Sequence, residues 1–493
     1  MLIAGLRSLV LFLVLCISIV LSKSWITDSQ GLIIYTLGLL AYLSIECINL
    51  RLTQPKLFWI NPAVLASIFT FILAFGFSNM LFFMPNELIE MVGLEPIATP
   101  WMNLLMRLVV LGALAMWLGY ASPIGEALGR SLQGSKFLNR VIRRSNYVNY
   151  LVICLCVLIS LVTRILMIRL GVYGFSADYE QVIAAAAYTQ YLSMGESLGQ
   201  LALVGMGLSY FASPRPKLTD TILFLLILTF EVLFGFLSGY KSQVFMPFII
   251  VGLVFYTQRG RFPKWFLPLV LVGIVLAYAV IEPFRDARHQ DLSFEGTSIG
   301  SIATTMVAAG SDGSETEDRP STALSVLARI NMTHAASKGI EYAAMSPVNE
   351  SGPNFLSDLL LSPAHAVIPR MFWDSKPYQN IGLWYTFEVM GLADPTLSST
   401  AMGPFTYLNF AGGPVAVVIG FFIVGLLQRA LFDGMRQFGG GGLIVFLGLL
   451  RNLVLIDSAF NSFLTSIIRL PALLVPAQYF LLCRSKDNSA SRG

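Results

Sequence analysis

Charge is what this chain has least of. Asp, Glu, Lys and Arg make up 12% of its 493 residues, about half the roughly 25% of a soluble domain. With 56% hydrophobic residues and a mean hydropathy of +0.71, that balance excludes a water-soluble globular protein. Cysteine is sparse too. All five (Cys16, Cys47, Cys154, Cys156, Cys483) lie in or beside apolar runs, which argues against a disulfide framework. Cys154 and Cys156, two apart on one helix, point to different faces. There is no Asp-x-Asp and no His or Cys ligand spacing, so neither a metal nor a cofactor is expected. The net charge of +4 is too small to suggest nucleic acid as a partner. The first 22 residues carry Arg7 before an apolar stretch. The Leu-Ser-Lys-Ser that follows lacks a small-x-small cleavage site, and an uncleaved first span is expected.

What the chain has is long apolar runs. A helix needs about 20 such residues to cross a bilayer. The runs predict an all-α polytopic membrane protein of about twelve spans, at 3–22, 31–50, 60–83, 101–121, 147–169, 196–212, 220–238, 243–257, 265–283, 404–427, 442–460 and 462–483. The eighth is short and the tenth is interrupted by glycines. Residues 1–283 then hold nine spans, 284–403 one large extramembrane loop, 404–483 three more spans, and 484–493 a tail. Cations crowd alternate loops: Arg51 and Lys56; Arg130, Lys136, Arg140, Arg143 and Arg144; Arg215 and Lys217; Arg259, Arg261 and Lys264; Arg429 and Arg436; Arg484, Lys486 and Arg492. The opposite short loops hold only Lys23 and Lys241, beside acids such as Glu87, Glu90 and Glu95. The positive-inside rule therefore puts both termini in the cytoplasm and the large loop outside.

Some cations fall inside spans, where each costs about 2.5–3.5 kcal/mol at a helix centre. Arg107, Arg164, Arg169 and Arg469 come within about two turns of the outer surface, with Lys241, Arg285 and Arg288 at that surface. Snorkelling accounts for any one of them. As a group at one depth they fit a cavity for an anionic headgroup, for which arginine's bidentate fork suits a diphosphate. Glu231 and Arg451 lie deeper and are expected to pair with each other or with Asp457.

All three histidines (His289, His334, His365) fall in the large loop. A helix is expected from Ser321 to Tyr342, with an apolar face of Leu324, Val326, Leu327, Ile330, Met332 and Ile340. A second should run from about Asn354 to Leu361 and stop at Pro363. Both are expected to lie on the membrane surface rather than to form a domain. Between Ser362 and Pro377 three prolines, two cations, an acid, a histidine and a tryptophan are packed together.

Ile368-Pro-Arg-Met-Phe-Trp-Asp-Ser-Lys-Pro377 resembles the I-P-R-x-[LIF]-W-x-x-K-P signature in the outer loop of bacterial oligosaccharide repeat-unit polymerases, the Wzy-type O-antigen and capsule polymerases. Leu237-Ser-Gly-Tyr-Lys-Ser242 is similar to their Gly-x-Arg-Ser turn, with Lys241 in place of the arginine. Gly403-Pro-Phe-Thr-Tyr-Leu-Asn-Phe-Ala-Gly-Gly413 resembles their Asn-Phe-Gly-x-x-Gly, with Ala411 where glycine is common. The resemblance implies a glycosyltransferase of lipopolysaccharide or polysaccharide biosynthesis in the bacterial inner membrane. Its substrates would be undecaprenyl-diphosphate-linked glycans, and a chain-length regulator and a flippase would be neighbouring partners. Arg370, Lys376, Arg285 and Arg288 are candidates to hold the leaving diphosphate. His365, Asp374 and Glu282 are candidates for the base. The plainer readings are a solvated Arg370–Lys376 pair, Trp373 as an interface anchor, and a His365 hydrogen-bonded to loop backbone.

Two other classes fit the same outline. An O-antigen ligase shares the architecture and charge logic. A lipid-linked sugar transporter or flippase would show internal repeats and paired broken helices, and no repeat is visible in this sequence.

Overall fold

The computed structural model describes residues 27–95, 99–174, 184–273, 322–345, 353–368, 381–391, 400–454 and 459–483, with isolated positions at 181, 280–281, 300, 304 and 372–373. The described residues are overwhelmingly helical and form no strand beyond one isolated bridge, Val148 with Leu482. Seven of their helices are long and apolar enough to cross a membrane. These are α1 (Asp28–Thr53), α2 (Pro62–Phe83), α3 (Pro100–Ala121), α5 (Tyr150–Arg169), α7 (Leu218–Leu237), α12 (Gly403–Arg436) and α14 (Phe460–Leu481). Helices also cover the sixth and eighth expected spans and the first part of the eleventh: α6 (Ala186–Ala212), α8 (Lys241–Arg259) and α13 (Gly439–Val454). The first expected span lies outside the described residues, and the ninth is described only in part. Leucines such as Leu37, Leu118, Leu151 and Leu233 stand more than half exposed along these helices. So much apolar surface suits a lipid surround, since monomeric soluble proteins rarely expose contiguous patches of it.

The centre of the bundle is the α3–α12 contact. A Cβ at Gly119 would run into the carbonyl of Phe422, and one at Gly425 into that of Met116, so only glycine lets these backbones meet. Phe405 and Phe421 stack at 4.4 Å beside this seam, with Phe71 edge-on to both. The amphipathic helix α4 (Pro123–Gly134), started by the Ser122 cap, lies along the C-terminal part of α12. Gln133 Nε2 there donates to the Asp433 carbonyl at 3.0 Å. α12 breaks at Gly412 and Gly413, ahead of Pro414, and Gly413 takes φ +65°. The interruption expected from the sequence is thus a kink inside one helix.

Contacts sort the bundle into two ends. At one, Asn149 N donates to Leu481 O (2.8 Å), tying the start of α5 to the end of α14, and Gly441 N donates to Arg143 O (2.8 Å), tying the start of α13 to the segment ahead of α5. At the other gather the large loop's described helices: α9 (Thr322–Ile330), α10 (Thr333–Met345) and α11 (Phe355–Val367). α10 packs inward, while α11 leaves Leu356, Leu360 and Val367 more than half exposed. Thr333, His334, Ala336, Ser337 and Ile340 of α10 are buried against α3 and α12.

The single helix expected over 321–342 is two, broken at Asn331. The Asn331 side chain donates to Ser78 Oγ (3.1 Å) and Asn79 Oδ1 (3.3 Å), and its own Oδ1 accepts from His334 N (3.1 Å). Met332 N donates to the Ala74 carbonyl at 3.1 Å. That carbonyl sits where α2 leaves α-helical geometry, over Ser67–Gly76 and Phe77–Phe83. The Met332 N–H thus goes to α2 instead of continuing the helix, while Asn331 N still closes α9 on the Leu327 carbonyl at 3.1 Å.

Candidate active site

Helix α11 does not stop at Pro363. It runs on to Val367, with the proline inside, capped at its start by Asn354 Oδ1 accepting from Ser357 N at 2.9 Å. Packing against α12 and α14 holds the helix through the proline. His365 is therefore a helical residue, two turns after Asp358 and on the same face. Asp358 Oδ1 lies 3.5 Å from His365 Nδ1. That is long for a hydrogen bond, yet close enough for the carboxylate to orient the ring.

The other carboxylate oxygen is held from two further helices. The Tyr407 hydroxyl donates to Asp358 Oδ2 at 2.7 Å, and Asn461 Nδ2 donates to the same atom at 2.8 Å. Ser362 Oγ donates to the Asp358 carbonyl at 2.8 Å, at the turn where Pro363 removes a donor. His365 is 6% exposed and packs against Trp373 with ring centroids 5.3 Å apart. An aromatic wall backs the group, where Phe355 stacks on Phe410 at 4.8 Å and meets Tyr407 and Trp384 edge-on.

Two of the three motif stretches thus converge. Tyr407 belongs to the Gly403–Gly413 stretch, and Trp373 to the Ile368–Pro377 stretch. The third, around Leu237–Ser242, is the turn joining α7 to α8. Gly239 takes φ +66° there, and Tyr240 N is held by Ser238 Oγ at 3.1 Å. Sequence reading missed Asp358, Tyr407 and Asn461. The seven-residue interval from Asp358 to His365 was the available signal for the first, hidden by the assumption that Pro363 ends the helix.

The cations divide. Arg285, Arg288, Arg370, Asp374, Lys376 and Glu282 lie outside the described residues. Arg164 is committed elsewhere: both arms of its fork meet Glu231, Nη1 to Oε1 at 3.0 Å and Nη2 to Oε2 at 2.9 Å. The two side chains are 2% and 1% exposed, and Glu196 stands 3.7 Å from Arg164 Nε. This differs from the expected diphosphate role of Arg164 and from the expected pairing of Glu231 with Arg451. The approach depends on Gly199, where a Cβ would collide with the Glu231 carboxylate. Gly195 and Gly199 form a small-x-x-x-small spacing on α6 that sequence reading passed over. Arg107 lies over the Tyr35 ring at 5.7 Å, Arg169 is exposed at the end of α5, Lys241 opens α8, and Arg469 is half-buried in α14.

Beside the site, Lys338 Nζ lies 2.8 Å from Glu95 Oε1 and 3.7 Å from Glu341 Oε2. The hydrogen bond from Lys338 holds the Glu95 carboxyl below its usual range, and the same bond holds Lys338 above its own. Burial pushes His334 down, partly offset by Glu95. Among the described residues no group of three or more His, Cys, Asp or Glu side chains is placed to hold a metal ion.

No curated protein and no solved structure matches the chain. A family profile does, over residues 150–474, from the start of α5 into α14 and about two thirds of the sequence. The match takes in Asp358, His365, Tyr407 and Asn461, and the chain belongs to the family described as a domain of unknown function (DUF8712).

Proposed function

We propose that this membrane protein polymerises undecaprenyl-diphosphate-linked oligosaccharide repeat units at the outer face of the bacterial inner membrane. The observation that carries the reading is the Asp358–His365 pair. It sits where a loop helix meets two spans, five residues ahead of Arg370, with Tyr407 of a second motif stretch on the carboxylate.

The acceptor sugar's hydroxyl oxygen bonds to the anomeric carbon of the growing glycan. The bond from that carbon to the lipid diphosphate breaks, and its electron pair leaves with the diphosphate. The hydroxyl proton goes to Nε2 of His365. Asp358, on the Nδ1 side, keeps the ring oriented and stabilises the imidazolium as it forms. Tyr407 and Asn461 hold the carboxylate in place. Arg370 and Lys376 are the candidates to receive the charge that develops on the leaving group. With Arg164 occupied by Glu231, the proposed clamp rests on the loop cations rather than on the embedded ones.

The test is a gene deletion read by glycan length. Loss of the polymerase leaves glycan carrying a single repeat unit. Loss of all capped glycan would point to a ligase, and normal long chains would overturn the proposal.

A further inference from the structure

At the bundle end opposite α9–α11, the end of α6, the start of α7, the end of α8 and residues 265–269 enclose a cavity of about 480 Å³. That volume falls within the range of ligand pockets, roughly 300–1,000 Å³. Its walls are aromatic and braced against one another. Tyr210 stacks on Phe224 at 4.9 Å, Phe211 stands edge-on to Phe255 at 5.0 Å, and Phe255 meets Trp265 edge-on at 6.4 Å. Leu225, on the apolar helix α7, lines the cavity and is 52% exposed, so one wall of the cavity reaches the protein surface.

The mouth has a different chemistry. Arg259 lines it and donates from Nη2 to the Ser213 carbonyl at 3.2 Å, tying the two lips together. The flanking loops add Arg215, Lys217, Arg261 and Lys264, all exposed. The nearest acid in sequence, Asp220, is buried and engaged by the Tyr150 hydroxyl (2.5 Å) and by Lys217 N (3.2 Å). The positive-inside rule explains cations on this side of the membrane. It does not explain an aromatic cavity beneath them.

An apolar chamber, reaching the surface at one wall and collared by cations, suits an amphiphile with a hydrocarbon chain and an anionic head. Tryptophan at the rim suits the headgroup level. Among membrane amphiphiles the anionic glycerophospholipids of the cytoplasmic leaflet meet both demands, and basic pockets between helices on that side are how such headgroups are held. We propose that this cavity is a specific site for one anionic glycerophospholipid, its acyl chain among Phe211, Phe224 and Phe255 and its phosphate against Arg259 and Arg215.

The experiment is native mass spectrometry of the purified full-length protein, exchanged into equimolar dioleoyl-phosphatidylglycerol and dioleoyl-phosphatidylethanolamine. One phosphatidylglycerol per chain should be retained, preferred about tenfold, as expected of several cations near one phosphate. The double substitution Arg215→Ala/Arg259→Ala should abolish the preference. Leu228→Trp, which fills the cavity and keeps every charge, should abolish retention. Phosphatidylglycerol with brominated chains gives a second readout, quenching wild-type fluorescence more strongly than that of Trp265→Phe. Equal retention of both lipids would overturn the proposal. So would retention unchanged in a folded Leu228→Trp or Leu228→Phe protein, which would leave the lipid outside the cavity.

Discussion

Asp358 and His365 stand two turns apart on one face of α11, carboxylate to ring nitrogen at 3.5 Å, across a proline that does not end the helix. The other carboxylate oxygen is anchored to α12 and α14 through Tyr407 and Asn461. A loop histidine is thereby referenced to two membrane helices.

If His365 takes the acceptor proton, His365→Ala should insert and fold normally and still bind lipid-linked substrate. It should elongate that substrate about 10²-fold or more slowly, the usual scale for losing a general base. Asp358→Asn keeps an oxygen for Tyr407 and removes the charge facing the ring, and it should lower the rate by a similar factor. The measurement is in vitro elongation by purified protein between pH 6 and 8, with Asp374→Asn and Glu282→Gln assayed alongside. Rates within a few-fold of wild type for His365→Ala would rule out the histidine.

Breaking the Arg164–Glu231 pair should be costly. Arg164→Met or Glu231→Gln alone strands a buried charge or half a fork, and should lower stability by about 3–5 kcal/mol. The double variant Arg164→Met/Glu231→Met should recover most of the loss, because two apolar side chains replace a compensated pair. Thermal unfolding followed by size-exclusion chromatography reads this directly. A stable double variant that elongates glycan normally would also remove Arg164 from the diphosphate clamp.

His334 predicts a pH effect of definite sign. Its folded-state value lies below the ordinary 6.5 because burial disfavours the imidazolium. The unfolded chain then binds more protons as pH falls through 6.5 toward the folded value, and stability is lost across that window. The melting temperature of wild type should fall on acidification from pH 7 to pH 5 more steeply than that of His334→Gln. Parallel curves would assign the acid sensitivity to other groups.

Sidedness is tested by labelling. With the five native cysteines replaced by serine, Met345→Cys on α10 and Phe137→Cys beyond α4 present equally exposed positions, each 67% accessible. An impermeant maleimide added to intact cells should modify the first and spare the second. The reverse result would move the candidate site to the cytoplasmic face.

The all-α membrane character, with seven of the expected spans, was legible in the sequence because hydropathy acts residue by residue. The neighbours of His365 were not. Tyr407 and Asn461 lie 49 and 103 residues from Asp358, and nothing local ties a hydroxyl in an apolar run to an acid in a loop. The Arg164–Glu231 pair was hidden for a related reason. Depth was readable for each residue singly, but facing direction depends on how α5 and α7 pack around Gly199. The break at Asn331 was missed because helical periodicity continues through it, and only the polar groups of α2 make the interruption favourable.

Asn79 carries a consequence for engineering. Its amide donates to Thr36 on α1 (3.1 Å) and its oxygen accepts from Asn331 and from the Thr333 hydroxyl (2.6 Å), joining two spans to the loop helices through one side chain. The large loop is therefore no detachable cassette. A chimera that exchanges 322–345 between relatives while keeping its own α2 would set foreign side chains against buried amides, each stranded polar group costing about 1–3 kcal/mol. Grafts that carry the 74–79 segment together with the loop keep lock and key from the same parent.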